Sequence, residues 1–187
     1  MIKEISTLFS CHIGSVSQKS HSELCCHLLD TALKVGQNLF GCKKNSPCKV
    51  TIKTYQGKYV SAEKNGHANA NQNKKGQFEI WTATFVNENT VNFKSGFNKY
   101  LVAEKSGSVN ANRGHAYAYE EFTVFDKGYG FFNFKSHHEK YLVAEPNGEL
   151  NANQTDANNL ETFKVERVEE SGGKYTAMDI CLHTITK

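Results

Sequence analysis

The spacing of apolar positions changes once along this chain. Residues 1–19 carry no usable pattern. From Ser20 onward, Leu24, Leu28, Ala32, Val35 and Leu39 fall at three- and four-residue steps, and Cys25, Leu29 and Leu33 widen the stripe by a neighbouring row. This spacing predicts an amphipathic α-helix from about Ser22 to Phe40. Ser20 and Glu23 have capping-box spacing, and Gly41 stands where a left-handed C-cap belongs. The apolar stripe would pack on the chain's own domain, or pair with a second copy and make the helix a self-association element.

Cys42–Cys48 reads as a polar linker, and beyond it the period becomes two. Val50 and Ile52, then Val91 and Phe93, then Phe132 and Phe134 alternate with polar residues, and Lys53, Lys94 and Lys135 follow them. Each set predicts a half-buried strand. Tyr59–Glu63 and its copies predict a second strand. Gly66, Gly107 and Gly148 then close a hairpin at a position suited to positive φ. Asn69-Ala70-Asn71 and its copies lie on the third strand. The fourth is placed at Phe78–Trp81, Phe122–Phe125 and Phe163–Val165, with a compensating three-residue shift in the turns of the first copy.

These strands are one unit written three times. KYVSAEKNGHANAN at Lys58 returns as KYLVAEKSGSVNAN at Lys99 and KYLVAEPNGELNAN at Lys140, 41 residues apart each time. A repeat of this size cannot bury its apolar face alone, whereas three around a pseudo-threefold axis close a barrel. The predicted fold is therefore all-β: a β-trefoil of three 41-residue repeats preceded by an N-terminal amphipathic helix. The expected division is 1–48 as helical extension and linker, 49–170 as trefoil, and 171–187 as tail or closing strand.

Residues identical in all three copies are read as framework, because a threefold barrel needs them three times. Tyr59, Tyr100 and Tyr141, Glu63, Glu104 and Glu145, and Gly66, Gly107 and Gly148 belong to this class. The glutamates are expected to pair with Lys58, Lys99 and Lys140 or to accept turn amides.

Composition narrows the function. Among 187 residues a net charge of +3 is mild, so no nucleic-acid partner is expected. No apolar run approaches a membrane span, and the short run Ile5–Phe9 is too interrupted for a secretory signal. Ile2 follows Met1 where N-myristoylation requires glycine. The six cysteines lie outside the copied blocks, which predicts free thiols and a cytoplasmic protein. Cys25-Cys26-His27 occupies consecutive helix positions that face different ways, so no metal site is expected. No catalytic constellation and no cofactor motif stands out, and the chain reads as a non-enzyme.

The repeat resembles the fascin-like β-trefoil family, which includes the fascins and hisactophilins. The residues that carry this are Lys53, Lys58, Tyr59, Ala62, Glu63, Gly66, Asn69 and Ala70 with their counterparts in the other copies, joined by Asn71. Asn71–Trp81 also looks like the basic segment of the fascins' first trefoil, which contributes to an actin-binding surface. The resemblance implies F-actin as partner, Lys74, Lys75 and Gln77 as contact residues, and a cytoskeletal location. Asn71, Gln72 and Asn73 stand where that segment has a phosphorylatable serine, and Gly76 replaces a basic residue. Fascins carry four trefoils, so filament cross-linking by this single trefoil would need a dimer or a second site. Hisactophilins are histidine-dense, and His137-His138 is the corresponding pH-switch candidate here. The alternatives are a glycan-binding lectin, suggested by the Asn-Ala-Asn copies, and a protein-interaction trefoil with another partner. The Gln-x-Trp signature of ricin-type lectins is absent.

Overall fold

A computed structural model describes residues 38–43 and 46–168. The first repeat carries β1 (Cys48–Thr54), β2 (Tyr59–Ala62), β3 (Ala68–Gln72) and β4 (Ile80–Phe85). The second carries β5 (Thr90–Lys94), β6 (Tyr100–Ala103), β7 (Val109–Arg113) and β8 (Phe122–Gly128). The third carries β9 (Phe131–Ser136), β10 (Tyr141–Ala144), β11 (Leu150–Gln154) and β12 (Thr162–Arg167).

The first and fourth strands of each repeat pair antiparallel in a closed circuit: β1 with β4, β4 with β5, β5 with β8, β8 with β9, β9 with β12, and β12 with β1. Closure leaves those strands without a free edge. The hairpins β2–β3, β6–β7 and β10–β11 each join the circuit at one aligned pair, Lys53↔Tyr59, Lys94↔Tyr100 and Lys135↔Tyr141. At each pair the ammonium lies over the tyrosine ring, at 4.8, 5.2 and 5.6 Å from its centroid. This is a β-trefoil, and the lysine–tyrosine pair is one reason both residues recur.

Alternation along the barrel strands points Val50, Ile52, Val91, Phe93, Phe132 and Phe134 inward, and all are buried. Trp81, Phe122 and Phe163 form the next layer, each at 0% exposure. The Trp81 indole N–H donates to the carbonyl of Val60 at 3.0 Å, so its polar atom is satisfied inside the core.

The turn glycines knit the repeats together. Gly66, Gly107 and Gly148 have φ of 89°, 91° and 88°. Their carbonyls accept from the amides of Ala111, Ala152 and Ala70 at 2.8, 2.7 and 2.7 Å, each in the next repeat. The middle residue of Asn-Ala-Asn is thus a hydrogen-bond partner between repeats.

The fold corrects four details of the sequence reading. First, the three-residue shift in the fourth strand is absent. Trp81 occupies the position of Phe122 and Phe163, and Gln77–Glu79 is a short 3-10 turn equivalent to Ala118–Glu120. Phe78 lies outside the barrel, 42% exposed, and two aromatics three residues apart gave the pattern two ways to align. Second, residues 22–37 of the expected helix lie outside the described residues, but Asn38–Phe40 form a turn. Asn38 Oδ1 accepts the amides of Phe40 and Cys42 at 3.0 and 3.2 Å, and Gly41 is left-handed with φ of 71°. Third, the junction of the expected helix and linker is core. Phe40 packs its ring 4.9 Å from Phe85 and 5.1 Å from Phe132, and Cys42 is fully buried. Fourth, Cys42 and Cys48 are not free thiols but a disulfide, with Cα atoms 6.1 Å apart. The chain folds back between them so that the two lie within bonding reach, which the reading as an open linker missed. The expected tail, 171–187, lies outside the described residues.

Candidate functional site

Where the three copies agree they build the barrel, so a unique site belongs where they diverge on the surface. The segment after each hairpin does so: NQNKKGQ at 71–77, NRGHAYA at 112–118 and NQTDANN at 153–159. At one equivalent position the side chain is Lys74, His115 or Asp156, and all three are exposed. The first loop alone carries two adjacent cations.

Each loop ends on a glutamate that the fold buries. Glu79, Glu120 and Glu161 are 6%, 3% and 3% exposed. Each reaches back to the amide three residues earlier: Gly76 to Glu79 Oε2 at 2.7 Å, Tyr117 to Glu120 Oε2 at 2.8 Å, and Asn158 to Glu161 Oε2 at 2.7 Å. These ties hold the loop bases and leave the tips free to vary. Sequence reasoning missed all three, although their 41-residue spacing was visible once Trp81 is aligned with Phe122.

Lys74, Lys75 and Gln77 are all exposed on the first loop. Lys58 donates to Asn73 on the same loop. Lys53 aligns with Lys164 across the β1–β12 seam, and Lys164 Nζ lies 2.9 Å from Glu166 Oε1. That hydrogen bond is the main reason the Glu166 carboxyl titrates below its ordinary value, and the positive charges of Lys164, Lys53 and Lys75 add to it. Lys75 therefore adds its field to a lysine-rich seam containing one carboxylate.

Two of the identical glutamates pair their side chains with partners other than the expected lysines, and all three accept turn amides through the backbone. Asn69 Nδ2 donates to Glu63 Oε1 at 2.7 Å, and Arg113 donates to Glu104. The turn amides of Gly66, Gly107 and Gly148 go to the backbone carbonyls of Glu63, Glu104 and Glu145, each at 2.9 Å. Below the basic loop, Phe78 stacks on Phe97 with ring centroids 5.0 Å apart. At the equivalent place in the second loop, Tyr119 meets His138 at 4.4 Å and His137 at 5.7 Å.

Searching curated proteins finds no match. Among solved structures, the designed 3-fold symmetric protein ThreeFoil superposes with a TM-score of 0.57 at 14% identity, covering 64% of this chain and 99% of its own. SeviL, in a structure bound to asialo-GM1 saccharide, gives 0.58 at 14% identity, covering 66% and 100%. Both are similar in fold. The family model of the FRG1-like domain matches residues 73–181, more than half of the sequence and including two of the three repeats, and the chain belongs to that family.

Proposed function

We propose that this trefoil is a non-enzymatic F-actin-binding module that meets the filament through the loop after β3. The observation that carries the reading is the exposed Lys74-Lys75 pair, present in one copy only; the charge of Lys75 also lowers the Glu166 carboxyl on the β1–β12 seam, together with Lys164 and Lys53. Actin is acidic, so such a patch would speed encounter and hold the filament by screened charge pairs. The resemblance of Asn71–Trp81 to the fascins' first basic segment supports the same partner. A cytoplasmic, cytoskeleton-associated location accompanies this reading and rests on the partner alone, since the Cys42–Cys48 disulfide removes the free-thiol argument for it; cross-linking would follow if two chains associate.

The test is co-sedimentation with F-actin at high and low centrifugal speed. Wild-type protein should pellet with filaments, and Lys74→Glu combined with Lys75→Glu should weaken pelleting while leaving the melting temperature unchanged. Low-speed pelleting lost on removal of residues 1–35 would assign bundling to the extension. The cut spares Phe40 and Cys42, which belong to the core. Absence of pelleting at low salt would reject the actin reading.

A second reading, glycan binding, rests on Tyr117 and Tyr119, 71% and 40% exposed, the first beside His115 of the same loop and the second beside His137 of the β9–β10 turn. Aromatic faces of this kind stack on sugar rings, and SeviL, which shares the fold, is bound to a saccharide. Saturable binding on a glycan array, competed by free sugar, would favour it.

A further inference from the structure

A cleft lies at the foot of the first hairpin, and the positions that line it recur in the other two repeats with different occupants. In the second repeat the equivalent place is occupied from within. Arg113, the last residue of β7, donates to Glu104, and its Nε lies 3.9 Å from Glu120 Oε1. Tyr119 and His138, packed on each other at 4.4 Å, stand at the positions equivalent to Phe78 and Phe97. A guanidinium is thus held between a hairpin glutamate and a buried glutamate.

In the first repeat the position of Arg113 is taken by Gln72, whose amide nitrogen turns away to Asn71 Oδ1 at 2.7 Å. What remains is an open cleft of about 370 Å³ lined by Glu63, Lys64, Gln72, Phe78, Glu79 and Phe97. Glu63 and Glu79 correspond to Glu104 and Glu120, and the stacked rings of Phe78 and Phe97 correspond to Tyr119 and His138. Lys64 on the rim matches Lys105, which does not prevent Arg113 from pairing in its own copy. The third copy lacks the aromatic face. Leu160 and Gln56 stand there, and Gln56 donates to the Ala144 carbonyl at 3.3 Å.

We propose that the first-repeat cleft binds an arginine side chain of a partner protein, its guanidinium taking the place that Arg113 fills in the second repeat. A planar guanidinium pairs with a carboxylate and stacks on an aromatic face at once, which a compact ammonium does less well. The site is separate from the Lys74-Lys75 contact and does not depend on it.

The test is a titration of the full chain, followed by amide NMR shifts, with the capped peptides acetyl-Gly-Arg-Gly-amide, its lysine analogue and its citrulline analogue. The arginine peptide should give saturable shifts at Gly76 and Phe97. The lysine peptide should bind at least about tenfold more weakly, and the citrulline peptide should leave the shifts unmoved. Free arginine, whose own carboxylate meets Glu63 and Glu79, should bind more weakly than the capped peptide; tighter binding of free arginine would overturn a protein partner. Gln72→Arg should abolish binding by filling the cleft from within, as Arg113 does. Arg113→Gln should open a second site, with new shifts at Tyr117 and His138. No saturable shift with the arginine peptide, undiminished binding in Gln72→Arg, or equal shifts with the lysine peptide would each overturn the proposal.

Discussion

The carbonyl of Gly148 accepts the amide of Ala70 at 2.7 Å, joining the third repeat directly to the first. The chain enters and leaves the trefoil in these two repeats, so this contact closes a ring that the backbone leaves open. Both partners belong to the copied block, and both are explained by the contact.

Substitution at the three turn glycines should separate strain from crowding. All three have positive φ, which costs an alanine about 1–2 kcal/mol. An added Cβ would stand 2.8 Å from Asn112 Cβ at Gly66 and 2.8 Å from Asn71 Cβ at Gly148, but 3.4 Å from its neighbours at Gly107. Gly66→Ala and Gly148→Ala should therefore lower the urea midpoint more than Gly107→Ala. Equal losses would mean that backbone strain alone sets the cost.

Phe40 is the described aromatic least expected in the core. It stacks at 6.0 Å on Phe93 and meets Phe134 edge-on at 6.2 Å, besides Phe85 and Phe132. Phe40→Ala should cost about 3–5 kcal/mol, the range for a buried phenylalanine. Leu39→Ala, one residue earlier but exposed, should cost little. Chemical denaturation of the two variants checks the difference.

These two cases show what a one-dimensional pattern carries. Strand number, repeat length and the glycine turns were legible because each is enforced three times at one spacing. Phe40 was not, because it has no counterpart in the repeat and its place depends on the turn at Asn38–Gly41. The buried Glu79, Glu120 and Glu161 were hidden for a different reason. They carry charge, which argues for the surface, yet each is buried on a backbone amide that only the folded loop presents. Lys74, Lys75 and Gln77, implied as contact residues by resemblance alone, are exposed; the Lys53–Lys164 alignment arises from β1–β12 pairing, which joins residues over a hundred positions apart.

The Cys42–Cys48 disulfide closes a short loop of sequence separation 6, for which chain entropy alone gives roughly 2 kcal/mol. Cys42→Ser with Cys48→Ser should lower stability by about that amount, and the part of the reductant's effect on the melting curve that this bond supplies should be lost with it. Wild-type melting that is indifferent to reductant would show that the bond does not contribute.

Glu166 reports on the basic surface by its titration. Its carboxyl is depressed first by the hydrogen bond from Lys164 and further by the charges of Lys164, Lys53 and Lys75, against a desolvation that raises it. Because the folded value lies below the ordinary 4.5, the interaction stabilises the fold above that pH and is lost as pH falls through the depressed value. The side chain is 43% exposed, so the stability at stake is small, within about 1 kcal/mol. The titration itself is the sharper measure. Lys164→Met should move the Glu166 midpoint up the most, and Lys75→Met should move it up by less, both read from the carboxyl carbon shift. High salt should shrink the Lys75 effect more than the Lys164 effect, since a charge acting through solvent is screened and a direct hydrogen bond is not. A midpoint indifferent to Lys75→Met would detach the Lys74-Lys75 loop from the seam, and the basic surface would then reduce to the loop alone.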